Sequence, residues 1–195
     1  MGSGYVFGYG SLVNRRTHEY ADTSPGRLSG WRREWRHTAL RPVAYLTAVP
    51  DPASQIDGLV ARVEAAEWTA LDERERAYDR VLAQSVAPET SHAPKVQVYT
   101  IPSDKHAAPS TVNPVLLSYV DVVVQGFLDQ FGTSGVARFF ATTAGWEAPV
   151  ADDRHNPVYG RAQTLTQAER AIVDQHLDAL GCRRVAPPVL SGRQP

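Results

Sequence analysis

Short apolar runs and alternating apolar and polar positions fill the first hundred residues of the chain. Residues 5–7 form a β-prone run that breaks at glycines, and residues 57–63 and 95–101 alternate apolar and polar side chains. Such alternation is typical of strands with one buried face. Residues 27–49 carry large apolar side chains among arginines, and residues 81–86 again favour an extended backbone. The pattern therefore predicts several antiparallel strands in this half of the chain.

Apolar positions at helical spacing appear between and after these strands. Residues 64–79 show this spacing, and residues 115–131 are apolar enough for a second, largely buried helix. Asn113-Pro114 fits the N-cap and first position of the second helix, because proline at the first position gives up an N–H that would have no partner there. Gly132 would end that helix.

A third helix is marked by a capping box. Thr166 and Glu169 stand three residues apart at its predicted start, and Gly181 follows its predicted end near residue 180. A polar, proline-flanked loop follows residue 101, and the pattern after it is largely helical. We therefore predict an α+β chain in which a mixed, mostly antiparallel core at 1–101 carries a helical extension at 102–195, packed on the core as a single structural domain.

Composition excludes several classes of function. The 195 residues fit one domain, and 20 basic against 21 acidic residues give a net charge of -1, so no overall field attracts nucleic acid or a membrane surface. No run of about 18 apolar residues predicts a membrane span. Cys182 is the only cysteine, which excludes a disulfide framework and favours a reducing, cytoplasmic compartment. The six histidines show no close pairing of metal ligands, so we expect neither a metal nor another cofactor.

One carboxylate lies in the apolar stripe of the first predicted helix. Spacings of three, four and three place Trp68, Leu71, Glu75 and Tyr78 on one helix face. Burying an ionised carboxylate without a partner costs several kcal/mol, so Glu75 needs a defined environment. The other charged side chains of this segment are expected to point into solvent: Glu67, Glu73, Arg74 and Arg76.

Two environments for Glu75 stay open on this pattern alone. The carboxylate could pair with Arg80 or with an arginine of the segment 32–41. It could instead lie in a cleft that opens to substrate, where burial tunes its pKa.

The loop FGYGS at residues 7–11 is the second candidate feature. Its two glycines let successive backbone N–H groups approach a ligand, and Leu12 to Arg16 could open a helical turn, so the loop could bind an anion. A plain tight turn would use the same glycines. The loop lacks the lysine of a Walker A motif, and Val13 stands where a dinucleotide fingerprint needs glycine. Ser11 also lacks the GxSxG context of a nucleophile elbow.

The loop and the helix together resemble a known family. VFGYGSL at 6–12, followed by LDERERAYDR at 71–80, is similar to the gamma-glutamylcyclotransferase superfamily with its ChaC-like and AIG2-like branches. RLSGWRREWRHTA at 27–39 and DGLVARVEAAEW at 57–68 also resemble the family core, so that the resemblance covers about residues 5–101.

The resemblance implies a fold and an activity. It implies a barrel-like, mostly antiparallel sheet with flanking helices, and cofactor-independent cyclisation of a small γ-glutamyl substrate to 5-oxoproline with release of an amine or amino acid. Glu75 would be the acid/base, while Tyr78 would either hydrogen-bond the substrate or pack in the core. The glutamyl moiety would bind to the loop residues Gly8, Tyr9, Gly10, Ser11 and Leu12.

Three points stay open in this interpretation. The leaving group could come from glutathione, from a γ-glutamyl amino acid or from a γ-glutamylamine. The same fold could also serve a protein that binds a small carboxylated ligand without cyclising it. No pattern in the sequence predicts an oligomeric state.

Overall fold

A seven-stranded sheet forms the centre of the computed structural model, which describes residues 2–83, 86–87 and 95–188. Ten strands lie in these residues, of which three form a second sheet: β1 Gly4–Gly8, β2 Thr23–His37, β3 Ala44–Val63, β4 Asp79–Ala83, β5 Val86–Ala87, β6 Val96–Thr100, β7 Val115–Leu116, β8 Thr143–Ala144, β9 Val150–Ala151 and β10 Arg184–Val185.

The large sheet is mostly antiparallel. Its strand order is β4-β6-β1-β3-β2-β5, and β8 also pairs with β2. Within this sheet, β1 with β6 and β2 with β8 are the only parallel pairs among the described strands. Because the order ends at β4 and β5, the described strands form an open sheet and not a closed barrel. The α+β, mostly antiparallel fold class is confirmed, without barrel closure in this part of the chain.

A long hairpin of β2 and β3 dominates the large sheet. Its pairing runs from Thr23 opposite Ala61 to His37 opposite Ala44, as the alternating pattern predicts. The register shifts at Gly30, whose φ of 79° suits glycine at a bulge. β4 begins two residues earlier than predicted, and residues 84–85 of that predicted strand lie outside the described residues.

Three helices flank the sheets in the described residues: α1 Trp68–Arg74, α2 Leu117–Ala141 and α3 Gln167–Ala179. The capping box of α3 is confirmed, because Thr166 and Glu169 exchange both hydrogen bonds. Gly181 follows the helix end with a φ of 67°. No described helix is both long and apolar enough to span a lipid bilayer.

The bounds of α2 differ from the prediction. Val115–Leu116 pair with β9 instead of starting the helix. The backbone N–H of Ser118 donates to Asp153 Oδ1 at 2.8 Å, so a distant carboxylate satisfies the first turn in place of the predicted cap. Gly132, with a φ of 63°, kinks the helix, which then continues to Ala141.

One hydrophobic core joins the sheet to the helices. Phe7 of β1 and Trp35 of β2 lie in the same buried cluster as Phe127 and Phe139 of α2 and Val173 of α3. Residues on both sides of the 102–110 loop therefore share one core. The division into a core at 1–101 and an extension stays a prediction.

Candidate functional site

A pocket open to solvent on one side lies at the end of β1. Its walls come from the loop after β1, from β3, from the end of α1, from β6 and from the first turn of α2. Every residue predicted for the site lies in this wall, so the structure brings the loop motif and the helix motif together. The lining consists of Phe7, Gly8, Tyr9, Gly10, Ser11, Leu12, Leu46, Glu75, Tyr78, Tyr99 and Tyr119.

The loop continues into two short 3-10 turns, Ser11–Val13 and Arg15–Thr17, in the region where a helical turn was predicted from Leu12 to Arg16. The N–H of Val13 donates to the carbonyl of Gly10 at 3.0 Å, and the N–H of Asn14 donates to the carbonyl of Ser11 at 3.1 Å. The first N–H groups of such a turn have no partner within it. The turn itself therefore does not use the N–H groups of Ser11 and Leu12, which belong to residues of the pocket wall.

The loop is fixed from behind by α2. The buried Asn14 side chain donates through Nδ2 to the carbonyl of Val122 at 2.9 Å and to Gln125 Oε1 at 3.0 Å. Gly126 allows this approach, since a Cβ there would lie 2.5 Å from the backbone nitrogen of Asn14. The close contact between loop and helix holds residues 10–14 in one position.

A buried arginine holds the other side of the loop. Arg33 Nε donates to the carbonyl of Tyr9 at 2.9 Å, and Nη1 donates to Thr142 Oγ1 at 2.9 Å. The guanidinium also lies 4.9 Å from the ring centre of Phe127. Burial lowers the pKa of Arg33 to about 9, against the effect of the Asp57 charge. The sequence did not indicate Arg33, because it lies among other arginines and the pattern does not show which of them is buried.

Glu75 lies at the C-cap of α1. Its N–H donates to the carbonyl of Leu71 at 2.9 Å, and its side chain is 16% exposed. The helix is shorter than the predicted 64–79, because the chain turns after Glu75, where the N–H of Tyr78 donates to the Glu75 carbonyl at 2.8 Å, and enters β4 at Asp79. The carboxylate still faces the pocket, as the spacing indicated.

Arg74 is the partner of Glu75. Its Nε lies 3.1 Å from Glu75 Oε1, and its side chain is only 10% exposed. The same guanidinium donates through Nη2 to Ser11 Oγ at 3.3 Å and through Nη1 to the carbonyl of Thr17 at 3.0 Å. The expectation that Arg74 points into solvent was wrong. Because the helix ends at Arg74, the side chains of Arg74 and Glu75 can contact each other. The Arg74 guanidinium therefore connects the Glu75 carboxylate to the loop.

Burial raises the pKa of Glu75 above its ordinary value of 4.5. The charges of Arg74 and Arg161 act in the opposite direction, and the Arg74 hydrogen bond adds to their effect. Neither Arg80 nor the segment 32–41 supplies the ion pair with Glu75: Arg80 Nη1 lies 3.6 Å from Asp72 Oδ1 instead. A buried carboxylate with a raised pKa and one arginine partner is a candidate for proton transfer.

Tyrosine side chains form most of the remaining wall. Tyr78 Oη donates to the carbonyl of Leu46 at 3.0 Å, and Tyr9 Oη donates to the carbonyl of Tyr99 at 2.5 Å. Burial is the main reason that the pKa of each of the Tyr9, Tyr78 and Tyr119 hydroxyls lies above its usual range, so these groups stay neutral. The Tyr78 and Tyr9 hydroxyls thus already have partners in the fold.

Tyr119 is a pocket residue that sequence reasoning missed. A Cβ on Gly10 would lie 2.6 Å from its hydroxyl oxygen, and this hydroxyl also interacts with the backbone of Ser11. No local motif marks Tyr119, because it reaches the loop only through the packing of α2. Among the described residues, no cluster of three or more His, Cys, Asp or Glu side chains could hold a metal ion.

The fold is shared with several solved structures. An uncharacterised protein from Homo sapiens aligns with a TM-score of 0.57 at 14% identity, over 89% of this chain and 99% of its own. A structure described as gamma-glutamyl cyclotransferase aligns with a TM-score of 0.56 at 15% identity, over the same shares of the two chains. YkqA from Bacillus subtilis aligns with a TM-score of 0.57 at 16% identity, over 71% of this chain and 53% of its own. These identities show a common fold only.

A comparison of sequences identifies the family. No curated protein sequence matches the chain. The family model described as gamma-glutamyl cyclotransferase, AIG2-like, matches residues 6–115, which is more than half of the 195-residue chain. The matched segment includes the loop after β1, all of α1 and Glu75. The chain therefore belongs to the AIG2-like gamma-glutamyl cyclotransferase family.

Proposed function

We propose that this chain is an enzyme that cyclises the γ-glutamyl part of a small substrate to 5-oxoproline and releases an amine or an amino acid. One observation carries the proposal: the carboxylate of Glu75 and the loop of residues 8–12 line the same pocket. Membership of the family supports it.

The reaction is an intramolecular acyl transfer. The α-amine of the glutamyl part attacks its own γ-carbonyl carbon, a C–N bond forms to close a five-membered ring, and the C–N bond to the leaving amine breaks. Holding the glutamyl chain curled gives an effective molarity on the order of 10⁵–10⁸ M in well-oriented cases. Atoms and charge balance without an added group, so the proposed reaction needs no cofactor.

Glu75 would transfer the proton. It would accept a proton from the α-ammonium or the attacking amine and return it to the leaving nitrogen, a role worth about 10²–10⁴-fold in rate. The raised pKa suits the first step, since a stronger base accepts the proton more readily. Arg74 would keep the carboxylate turned toward the loop.

The loop would bind the glutamyl α-carboxylate. The N–H groups of Ser11 and Leu12 begin a 3-10 turn at the pocket wall, where their donors are not used by the turn itself. The Tyr119 hydroxyl lies beside the Ser11 backbone and would add a neutral donor. We favour this carboxylate over the developing oxyanion as their ligand. Tyr78 would shape the pocket with its ring while its hydroxyl stays bound to Leu46.

The ion pair of Glu75 with Arg74 supports a second candidate function. A carboxylate that already has a partner is also expected in a protein that only binds a small carboxylated ligand. In that case the pocket would hold its ligand without chemical change.

Turnover separates the two functions. The protein is incubated with glutathione, γ-glutamyl amino acids and γ-glutamylamines, and the release of 5-oxoproline is measured. We expect release from at least one class of substrate. Saturable binding of these compounds without any 5-oxoproline would refute the proposed reaction and favour the binding function.

A further inference from the structure

The segment 152–162 is anchored firmly beside the pocket. Asp153, which is buried, accepts hydrogen bonds from the N–H of Ser118 at 2.8 Å and from Ser118 Oγ at 2.6 Å. It also accepts from the N–H of Val158 at 2.9 Å. One carboxylate thus ties this segment to the first turn of α2, next to Tyr119.

A second anchor comes from Arg154. Its Nε and Nη2 donate to the two oxygens of Asp121 at 2.7 Å each, and its Nη1 donates to Asp174 at 2.9 Å. Such bidentate pairing fixes direction as well as distance. Because Asp121 lies on α2 and Asp174 on α3, the segment is held against both helices.

The anchored segment brings a turn to the edge of the pocket. The Tyr159 ring packs edge-on against the ring of the pocket residue Tyr119, with 5.0 Å between their centres. The N–H of Ala162 donates to the carbonyl of Tyr159 at 3.0 Å, which closes a turn with Gly160 and Arg161 in its middle. Arg161 is exposed at this turn.

The charge of Arg161 reaches the pocket. Burial raises the pKa of Glu75, and the charges of Arg74 and then Arg161 oppose that rise. Burial also raises the pKa of Tyr20, and Arg161 is among the charges that oppose it. The Arg161 charge therefore acts on Glu75 from an exposed turn whose Tyr159 ring packs on the pocket residue Tyr119.

We propose that Arg161 binds a carboxylate on the leaving part of the substrate, so that the preferred substrates are γ-glutamyl amino acids or peptides and not γ-glutamylamines. This inference rests on the proposed function. The loop holds the glutamyl end, so the leaving amine points toward the open side, where Arg161 is exposed. A guanidinium can donate two parallel hydrogen bonds to a carboxylate. The leaving part of a γ-glutamylamine has no carboxylate to accept them.

Two substrates that differ only in this carboxylate test the inference. γ-Glutamylalanine and γ-glutamylethylamide share the glutamyl part and an ethyl group on the leaving nitrogen, and γ-glutamylalanine carries a carboxylate in addition. We expect Arg161→Gln to lower kcat/KM for γ-glutamylalanine roughly tenfold through KM, since a charged hydrogen bond is lost. The variant should act on γ-glutamylethylamide like the wild type. Arg183→Gln, at an exposed arginine beside β10, is the matched control and should change neither value.

Each other outcome overturns the inference. An equal loss with both substrates would assign Arg161 to the glutamyl part, and no loss with either would remove it from recognition. Release of 5-oxoproline from either substrate by the wild type tests the proposed function separately. If neither substrate is turned over, calorimetric binding decides: wild type must bind γ-glutamylalanine more tightly than γ-glutamylethylamide, and Arg161→Gln must abolish that difference.

Discussion

Replacing Gly126 by alanine tests the contact that holds the loop in place. Within a helix this change normally stabilises a protein by up to about 1 kcal/mol. Here the new Cβ would lie 2.5, 2.7 and 2.8 Å from the N, Cα and Cβ atoms of Asn14. Two of these are backbone atoms of a buried residue, so either the loop or α2 must move.

The expected cost follows from these distances. Overpacking a close contact costs about 1–3 kcal/mol, and the two hydrogen bonds of the Asn14 side chain each contribute about 1 kcal/mol if they are lost. After the stabilisation that alanine normally gives within a helix is subtracted, the free energy of unfolding of Gly126→Ala should fall by roughly 1–3 kcal/mol. For a chain of this size each kcal/mol lowers Tm by about 2–4 °C.

Thermal unfolding followed by circular dichroism measures this change. Gly160→Ala is the control, because a Cβ there would meet open space, and its Tm should match that of the wild type. The rate of 5-oxoproline release should also fall in Gly126→Ala, since the loop shifts with Asn14. A Tm of Gly126→Ala equal to or above that of the wild type would refute the close contact.

Two further predictions concern charged groups. Because the pKa of Glu75 is raised on folding, its protonated form stabilises the fold below its ordinary value of 4.5, and this contribution is lost as pH rises through the raised value. The Tm of Glu75→Gln should therefore rise relative to the Tm of the wild type as the pH increases above 4.5, and a difference that does not change with pH would contradict the raised pKa. Arg154→Gln leaves Asp121 buried without its arginine and should cost about 3–5 kcal/mol in a denaturant titration. Arg16→Gln breaks the exposed pair with Asp129 and should cost less than about 1 kcal/mol, and equal costs would show that burial does not matter here.

The sequence predicted those parts of the site that depend on local chain geometry. Glycines at the end of a strand and a carboxylate in an apolar stripe can each be recognised from a few neighbouring residues of the sequence. These patterns made Gly10 and Glu75 candidates for a pocket, and the family resemblance then placed both in one site before the fold was known. The capping box of α3 was predictable for the same reason.

Contacts between distant segments could not be predicted in this way. Arg74 was expected in solvent because a longer helix would have turned it there, and the end of α1 depends on the pairing of β4 with β6. The first turn of α2 depends on Asp153, which is distant in sequence. Tyr119 reaches the pocket only because α2 packs beside the loop, so no pattern in the sequence indicated it.

The central claim is that the Glu75 carboxylate transfers the proton in the pocket, and replacing its basic oxygen tests this directly. Glu75→Gln keeps the shape of the side chain, and Glu73→Gln on the same helix is the matched control, because Glu73 is 74% exposed. We expect kcat for 5-oxoproline release to fall by about 10²-fold or more in Glu75→Gln, with KM little changed, while Glu73→Gln acts like the wild type. Release by Glu75→Gln at a rate near that of the wild type would contradict the account.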